Sequence, residues 1–378
     1  MNDIKTEVEK TLETHRSDLI ELSQWLHNNP ELGWQEFESS HHCAEFLTRR
    51  GFSVTEQFLG LETAFYATFG DGDKRIAFMA EYDALPGIGH ACGHNLIAAM
   101  SIGSALALAG VAGELGITVE VFGTPAEEGG GGKIELLERG AFTGLDFAMM
   151  VHPAPVDVVR AEPMAVMHWE VTFKGHAAHA ASYPTQGINA ADAFTVSEVA
   201  IALLRQQLPP SVRVHGIVTH GGDAPNAIPH STRGRWYVRA TTMEELAHTA
   251  VRVRRCFEAG ALATGCTLEL RDESKPYSDF RTDDRASEYY EENVRRLGRR
   301  IKTSGPETLM SRASTDMANV SQIVRAIHPY IGVDSYPILN HQKEFADACV
   351  GPTAEKTLFE GALAQAWTAV DVAMEQGQ

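Results

Sequence analysis

The 378-residue chain is short of positive charge, with 32 lysines and arginines against 50 aspartates and glutamates and a formal net charge of −18. A broad nucleic-acid-binding face needs a basic field, so that class of partner is not expected. Cysteine is sparse, and Cys43, Cys92, Cys256, Cys266 and Cys349 show no paired spacing. This argues against a disulfide scaffold and for a reducing compartment. Long hydrophobic runs are missing as well. Residues 98–113 form the longest low-polarity stretch, but it contains Ser101 and Ser104 and is too rich in Ala and Gly for a membrane span. The N-terminal MNDIKTEVEK lacks the charged-then-apolar pattern of a signal peptide, so a cytoplasmic protein is expected. There is no internal repeat and no low-complexity segment.

Against this background residues 81–95, EYDALPGIGHACGHN, concentrate chemistry. They join an apolar strand pattern at 75–80 to a small-residue helix pattern at 96–110, and they carry Glu81, Asp83, His90, Cys92 and His94. Loops at strand ends present side chains on a rigid base. Thiolate with imidazole suits zinc, and imidazole with carboxylate also admits manganese, cobalt or nickel. Taken alone, H-A-C-G-H also fits a buried structural cluster.

The length allows one very large domain or two. Apolar residues at helical spacing (Val8, Leu12, Leu19, Leu22, Leu26) predict one helix over 3–28, and a second follows at 36–49. Strands at 52–58, 64–69, 75–80, 117–123 and 146–151, interleaved with helices, predict an α/β sheet with functional loops at strand ends. The period then changes. Met167, Trp169, Val171 and Phe173 alternate with His168, Glu170, Thr172 and Lys174, as in a half-exposed antiparallel strand. The succession of strand, helix, strand, strand, helix and strand from there is the split βαβ pattern. Residues 166–275 are therefore expected to form an inserted domain, with 1–165 and 276–378 making the α/β domain.

Three further strand ends matter. Glu127 and Glu128 follow the strand at 117–123 and precede four glycines, which allow close backbone approach. In such a loop one carboxylate can bind a metal while its neighbour faces a water, the arrangement for metal-assisted hydrolysis. His152 ends a strand before Pro153, and His341 stands in ILNHQKEF. Each has a plainer reading: a solvated acidic turn for the glutamates, a cap or core residue for each histidine. Strand ends of one sheet converge, however, and that favours a shared site. For Ser314, Thr315 and Asp316, on a loop before a helix, capping is a sufficient explanation, with a place in the site as the other.

These residues lie in segments that resemble the M20 family of metallopeptidases and amidohydrolases, in particular the branch of auxin-conjugate hydrolases, p-aminobenzoyl-glutamate hydrolase and related aminoacylases. The segments, in order, are LHNNPELGWQE, EYDALPGIGHACGHN, GTPAEEGGGG, VHP, FKGHAAHA, APNAIP with YVRA, STDMANVS and NHQKEF. The resemblance implies a catalytic domain with a mixed sheet flanked by helices and an inserted ferredoxin-like α+β lid and dimerisation domain. It implies two divalent ions per subunit, zinc or manganese foremost and cobalt or nickel admitted. Cys92, His94, Glu128, His152 and His341 match the metal ligands, with Cys92 the candidate bridge. Glu127 matches the general base, and Asp83 a carboxylate that orients a ligand. His179 matches a histidine that reaches the scissile carbonyl oxygen of the partner subunit. Asn226 and Arg239 match groups that hold the substrate's carboxylate, a task suited to Arg. The chain departs from the pattern at Glu81, where the wider family often has His, and at Asn95, where the branch usually has Asp. Cys92 and His94 already supply the turn's ligands, so Glu81 is expected to have a non-ligand role, and His90 is assigned none.

The expected protein is thus a homodimeric, metal-dependent amidohydrolase acting on a small amide that bears a carboxylate, with no nucleic-acid or membrane partner. Within that class an aminoacylase, a p-aminobenzoyl-glutamate-type hydrolase, a dipeptidase and a hydrolase of an arylamine or other non-peptide C–N bond stay open. A different class, a metal-stabilised binding protein without turnover, is disfavoured by the intact Glu127.

Overall fold

The computed structural model describes residues 2–375. It divides into two compact units, one built from the chain up to Pro163 and from Phe280 onward, the other from Met164–Asp279. The first leg lays down β1 (Ser53–Glu56), β2 (Phe65–Phe69), β3 (Lys74–Ala80), β4 (Ile117–Gly123), β5 (Phe147–Met149) and β6 (His152–Ala154). The second unit adds β7 (Ala165–Lys174), β8 (Arg213–His220), β9 (Ser231–Ala240) and β10 (Thr267–Asp272). The chain returns to the first unit with β11 (Ala326–Ile327) and β12 (Tyr330–Gly332).

In the first unit a mixed sheet runs β1-β2-β4-β3-β5-β11. The β1–β2 and β2–β4 pairs are antiparallel, and the pairs from β4 through β11 are parallel. A separate parallel pair joins β6 to β12, with Tyr330 opposite His152. The strand expected to stop at His152 thus restarts there. Helix His94–Ala109 is buried along nearly its whole length. It therefore has no polar face, which is why its sequence reads as an Ala/Gly/Ser run. A Cβ on Gly103 would sit 2.9 Å from the Leu19 side chain and 3.2 Å from Ala362, so the small residue lets three helices meet. The N-terminal helix expected at 3–28 is two, Asn2–Thr14 and Arg16–Asn28, broken where His15 takes ψ 2°. Its predicted apolar stripe is nevertheless all core. Lys5 fixes the first helix to the last, Pro352–Ala373, through a buried 2.7 Å ion pair with Asp371.

The second unit is a four-stranded sheet in the order β10-β7-β9-β8, antiparallel throughout, carrying helices Ala190–Arg205 and Met243–Thr264. This is the ferredoxin-like order of a split βαβ. Period-2 alternation buries Trp236 and Val238 with Phe173, Phe194 and Phe257, while Arg233, Arg235 and Tyr237 stay on the other face. The unit reaches beyond the expected 166–275. Val166 and Tyr277 exchange backbone hydrogen bonds at 3.0 Å, and the Met243 amide donates to Asp279 at 2.9 Å. Among the described residues no helix is long and apolar enough to cross a membrane.

Candidate metal centre

The chemistry gathers where β3, β4 and β6 meet their loops in the first unit. Glu81 and Asp83 follow the end of β3. Gly93, with φ +83°, turns the chain into helix His94–Ala109, and a Cβ there would lie 2.9 Å from the Pro153 ring. The glycine therefore lets Cys92 and His94 press against the strand that begins at His152. From β4 the chain passes through Ala126, itself at φ +54°, to Glu127 and Glu128. His341 comes from a distant loop, at φ +67°, and is fixed by its amide donating to Ala91 O at 2.8 Å.

These side chains form two overlapping sets. Cys92, His94 and His152 offer donor atoms all within 4.8 Å of one another, and so do Cys92, Glu128 and His341. Cys92 belongs to both. Its Sγ lies 3.5 Å from His152 Nε2, and His341 Nε2 lies 3.1 Å from Glu128 Oε1. A third set, Glu81, His94 and Glu127, meets the same criterion. His90 belongs to none of the three; it is buried and stacks on His27.

The residues fit divalent ions on their own chemistry. His94 donates Nδ1–H to Asp83 Oδ1 at 2.9 Å. Burial lowers its pKa, but Asp83 and Cys92 outweigh that and hold it well above the usual range. Buried Nε2, which has no hydrogen-bond partner, therefore becomes a ligand atom once a cation displaces its proton. His152 donates Nδ1–H to Pro153 O at 2.7 Å, so its Nε2 is a free donor atom toward Cys92. Burial, with His328 and His94 nearby, pulls His152 down to about 3 and keeps its imidazole neutral, the form able to bind a cation. Burial and the Glu128 charge push the Cys92 thiol up, so a thiolate here needs a cation beside it.

The carboxylates are differentiated. Burial pushes Glu127 well up, reinforced by Glu81, Glu128 and Asp316. Burial acts on Glu128 too, but the His341 hydrogen bond and charge outweigh it and bring that carboxyl below its ordinary range. Asp83 is likewise held low against burial by His94, and its second oxygen accepts the Glu128 amide at 2.9 Å.

Lys133 and Glu36 were invisible from the sequence, whereas capping and a place in the site were both open for Asp316. Asp316 does not cap the helix it precedes. Its carboxylate accepts from Lys133 Nζ at 2.7 Å and the Lys133 amide at 2.8 Å, and Thr315 Oγ1 accepts the Met317 amide instead. Lys133 Nζ also donates to Glu81 at 2.5 Å. Glu36 accepts the Ala126 amide at 2.7 Å and so shapes the turn that delivers Glu127. Asn95 is structural, donating to Ser23 Oγ at 2.9 Å and Cys349 O at 3.0 Å, bonds that an Asp could not donate.

His179, Asn226 and Arg239 lie in the second unit. His179 and Asn226 are on adjoining loops, joined by the Ala180 amide donating to Asn226 O at 2.9 Å. His179 Nδ1 accepts the Ala181 and Ser182 amides at 3.3 and 3.1 Å, so its proton sits on Nε2. Arg239 on β9 is 3.3 Å from His215 on β8, and burial lowers its pKa.

A model of peptidase family M20/M25/M40 matches residues 77–358. The chain belongs to this family, and it is an amidohydrolase. It is 38% identical over 368 residues to a Xaa-Arg dipeptidase of Mus musculus, covering 93% of this chain and 84% of that one. It is 32% identical over 292 residues to a subunit of the p-aminobenzoyl-glutamate hydrolase of Escherichia coli (strain K12), covering 72% and 61%. Among solved structures, a dinuclear metal-binding M20 peptidase of Bacillus subtilis superposes with a TM-score of 0.68 at 23% identity, over 95% of this chain and 99% of that one.

Proposed function

We propose that the protein hydrolyses the amide bond of an N-acyl or N-aroyl amino acid, or of a dipeptide, with two divalent ions, zinc or manganese foremost, held by Cys92, His94, Glu128, His152 and His341. The observation that carries this reading is the pair of donor sets sharing Cys92, with Glu127 against them, its carboxylate 3.9 Å from His94 Nε2. The relatives' names, a dipeptidase and an aminobenzoyl-glutamate hydrolase, support the substrate class.

Ions bound there supply Lewis acidity and make a water easier to deprotonate. Glu127, left a carboxylate because the charge of bound ions offsets the burial that raises it, takes that water's proton and hands it to the leaving nitrogen. Asp83 holds His94 in the tautomer that presents Nε2. His179 offers Nε2–H, the form required to donate to a carbonyl oxygen as charge builds on it. Arg239 and Asn226 hold the substrate's carboxylate. We place dimerisation on the second unit, where β8 is an edge strand with Ile217 and Val218 exposed and the neighbouring helix exposes Val199 and Leu203. Among the described residues the five cysteines are free and buried, which supports a cytoplasmic setting.

The test is a panel of N-acyl amino acids, p-aminobenzoyl-glutamate and dipeptides ending in Arg, assayed on metal-stripped protein with Mn²⁺, Zn²⁺ or Co²⁺ added. Metal-dependent release of the free amine is expected. Turnover of none of them by metal-loaded protein rejects the reading.

A further inference from the structure

The third donor set, Glu81, His94 and Glu127, has the spacing of a cation site; His94 Nε2 is shared with the first set and serves one ion, so the two carboxylates are what the third set adds. It also contains two fully buried atoms without a hydrogen-bond partner, Glu81 Oε2 and His94 Nε2, 3.5 Å apart. A carboxylate there, beside a metal-facing imidazole and the proposed base, would capture an ion if nothing else held it. Lys133 already does.

The glycine-rich loop puts the lysine there. Gly131 takes φ +71°, and a Cβ on Gly132 would lie 1.9 Å from Pro125 O, so the loop is pressed flat on the segment leading to Glu127. The next residue, Lys133, is thereby turned inward and is fully buried. Its Nζ lies 2.5 Å from Glu81 Oε1 and 2.7 Å from Asp316 Oδ1. Its amide donates to the other Asp316 oxygen at 2.8 Å, which fixes the second carboxylate in turn. Burial alone would lower its pKa, but Asp316 and Glu81 outweigh that and hold the ammonium protonated. An ammonium in a dry interior persists only when paired this completely, and breaking the pairing leaves uncompensated charge.

We propose that Lys133 is a resident cation that withholds Glu81 from the metal set and thereby leaves Glu127 to act as base. It is a positioning residue, acting through Glu81 and touching no substrate. The inference rests on the two-ion reading above.

The test is metal uptake by the stripped full-length protein, titrated with Mn²⁺ and read by electron paramagnetic resonance and elemental analysis. Lys133→Met is expected to take up about one further Mn²⁺ per chain, held by the Glu81 and Glu127 carboxylates beside the ion on His94, because ion binding replaces the lost ammonium. With Glu127 engaged by that ion, kcat should fall on the order of a hundredfold, the scale of losing a general base, while KM changes little. Adding Glu81→Gln to Lys133→Met keeps the cluster's net charge as in the natural chain and removes the extra ligand. Metal uptake should return to the natural value and kcat should recover. Lys133→Met with Asp316→Asn also keeps that charge but leaves the Glu81 carboxylate unengaged, and it should retain the extra ion; this pair decides the matter if the single variant does not fold. Unchanged uptake in folded Lys133→Met, or in folded Lys133→Met/Asp316→Asn if the single variant does not fold, overturns the proposal. So does a kcat loss that Glu81→Gln leaves in place. A natural chain that binds no divalent ion would instead overturn the two-ion reading itself.

Discussion

Nδ1 of His94 lies 2.9 Å from Oδ1 of Asp83, while the other Asp83 oxygen accepts the Glu128 amide at 2.9 Å. One carboxylate thus orients a residue from each of the two donor sets. Asp83→Ala should weaken divalent-ion affinity by roughly 10–100-fold, the usual effect of losing such a partner. Competition against a calibrated chelator measures it. An affinity equal to that of the natural protein would show that packing alone positions His94.

Glu127→Gln removes the proton acceptor and keeps the shape. Metal content should be unchanged and kcat should fall by at least roughly a hundredfold. Near-normal kcat in a folded, metal-replete variant takes Glu127 out of the base role.

Arg239→Ala should raise KM for substrates with a free carboxylate and leave amidated analogues little affected. Steady-state kinetics on matched pairs gives the answer; equal losses on both would assign Arg239 to structure.

His179→Ala should lower kcat by roughly a hundredfold with metal retained, the scale of one oxyanion donor. If His179 serves the partner subunit, mixing it with Glu127→Gln under subunit exchange makes dimers with one intact site. Counting sites under two-fold symmetry gives recovery of about a quarter of natural activity. No recovery after proven exchange would confine His179 to its own chain.

His168 supplies a pH prediction for the second unit. Burial, then the Arg239 and Arg235 charges, lower it from 6.5 to about 4, so the folded unit keeps it neutral while the unfolded chain protonates it sooner. Stability from this group is full above about pH 6.5 and is lost as pH falls toward 4. The loss amounts to no more than a few kcal/mol. Hydrogen exchange of β7 and β9 amides against pH should show it, and His168→Gln should flatten the curve. Identical slopes would exclude His168 as the source.

The sequence carried the parts of this protein that have a period or a dense motif. Strand patterns at 75–80 and 117–123 and the split βαβ order from Met167 onward are local regularities, and the structure has β3, β4 and the β10-β7-β9-β8 sheet in those places. What stayed hidden depends on contacts between distant residues. Lys133 closes a glycine run that gives it no pattern of its own, yet its partners are Glu81 and Asp316. For Asp316 the spacing before a helix left capping and a place in the site both open; the buried ammonium is the stronger partner. β11 is two residues long, too short for alternation to register. The break at His15 interrupts no apolar stripe, so periodicity runs through it.

The interruption of the first unit by the second has a consequence for biosynthesis. The turn carrying Cys92 and His94 emerges early, but His341 and helix Pro352–Ala373, which packs on helix His94–Ala109, follow only after the whole second unit. During synthesis the nascent chain exposes a thiol, two imidazoles and several carboxylates with neither the last member of the donor sets nor their covering helix. On the proposed two-ion reading, ion capture is therefore set to the end of translation, and a chain truncated before residue 341 should lack a complete Cys92/Glu128/His341 set.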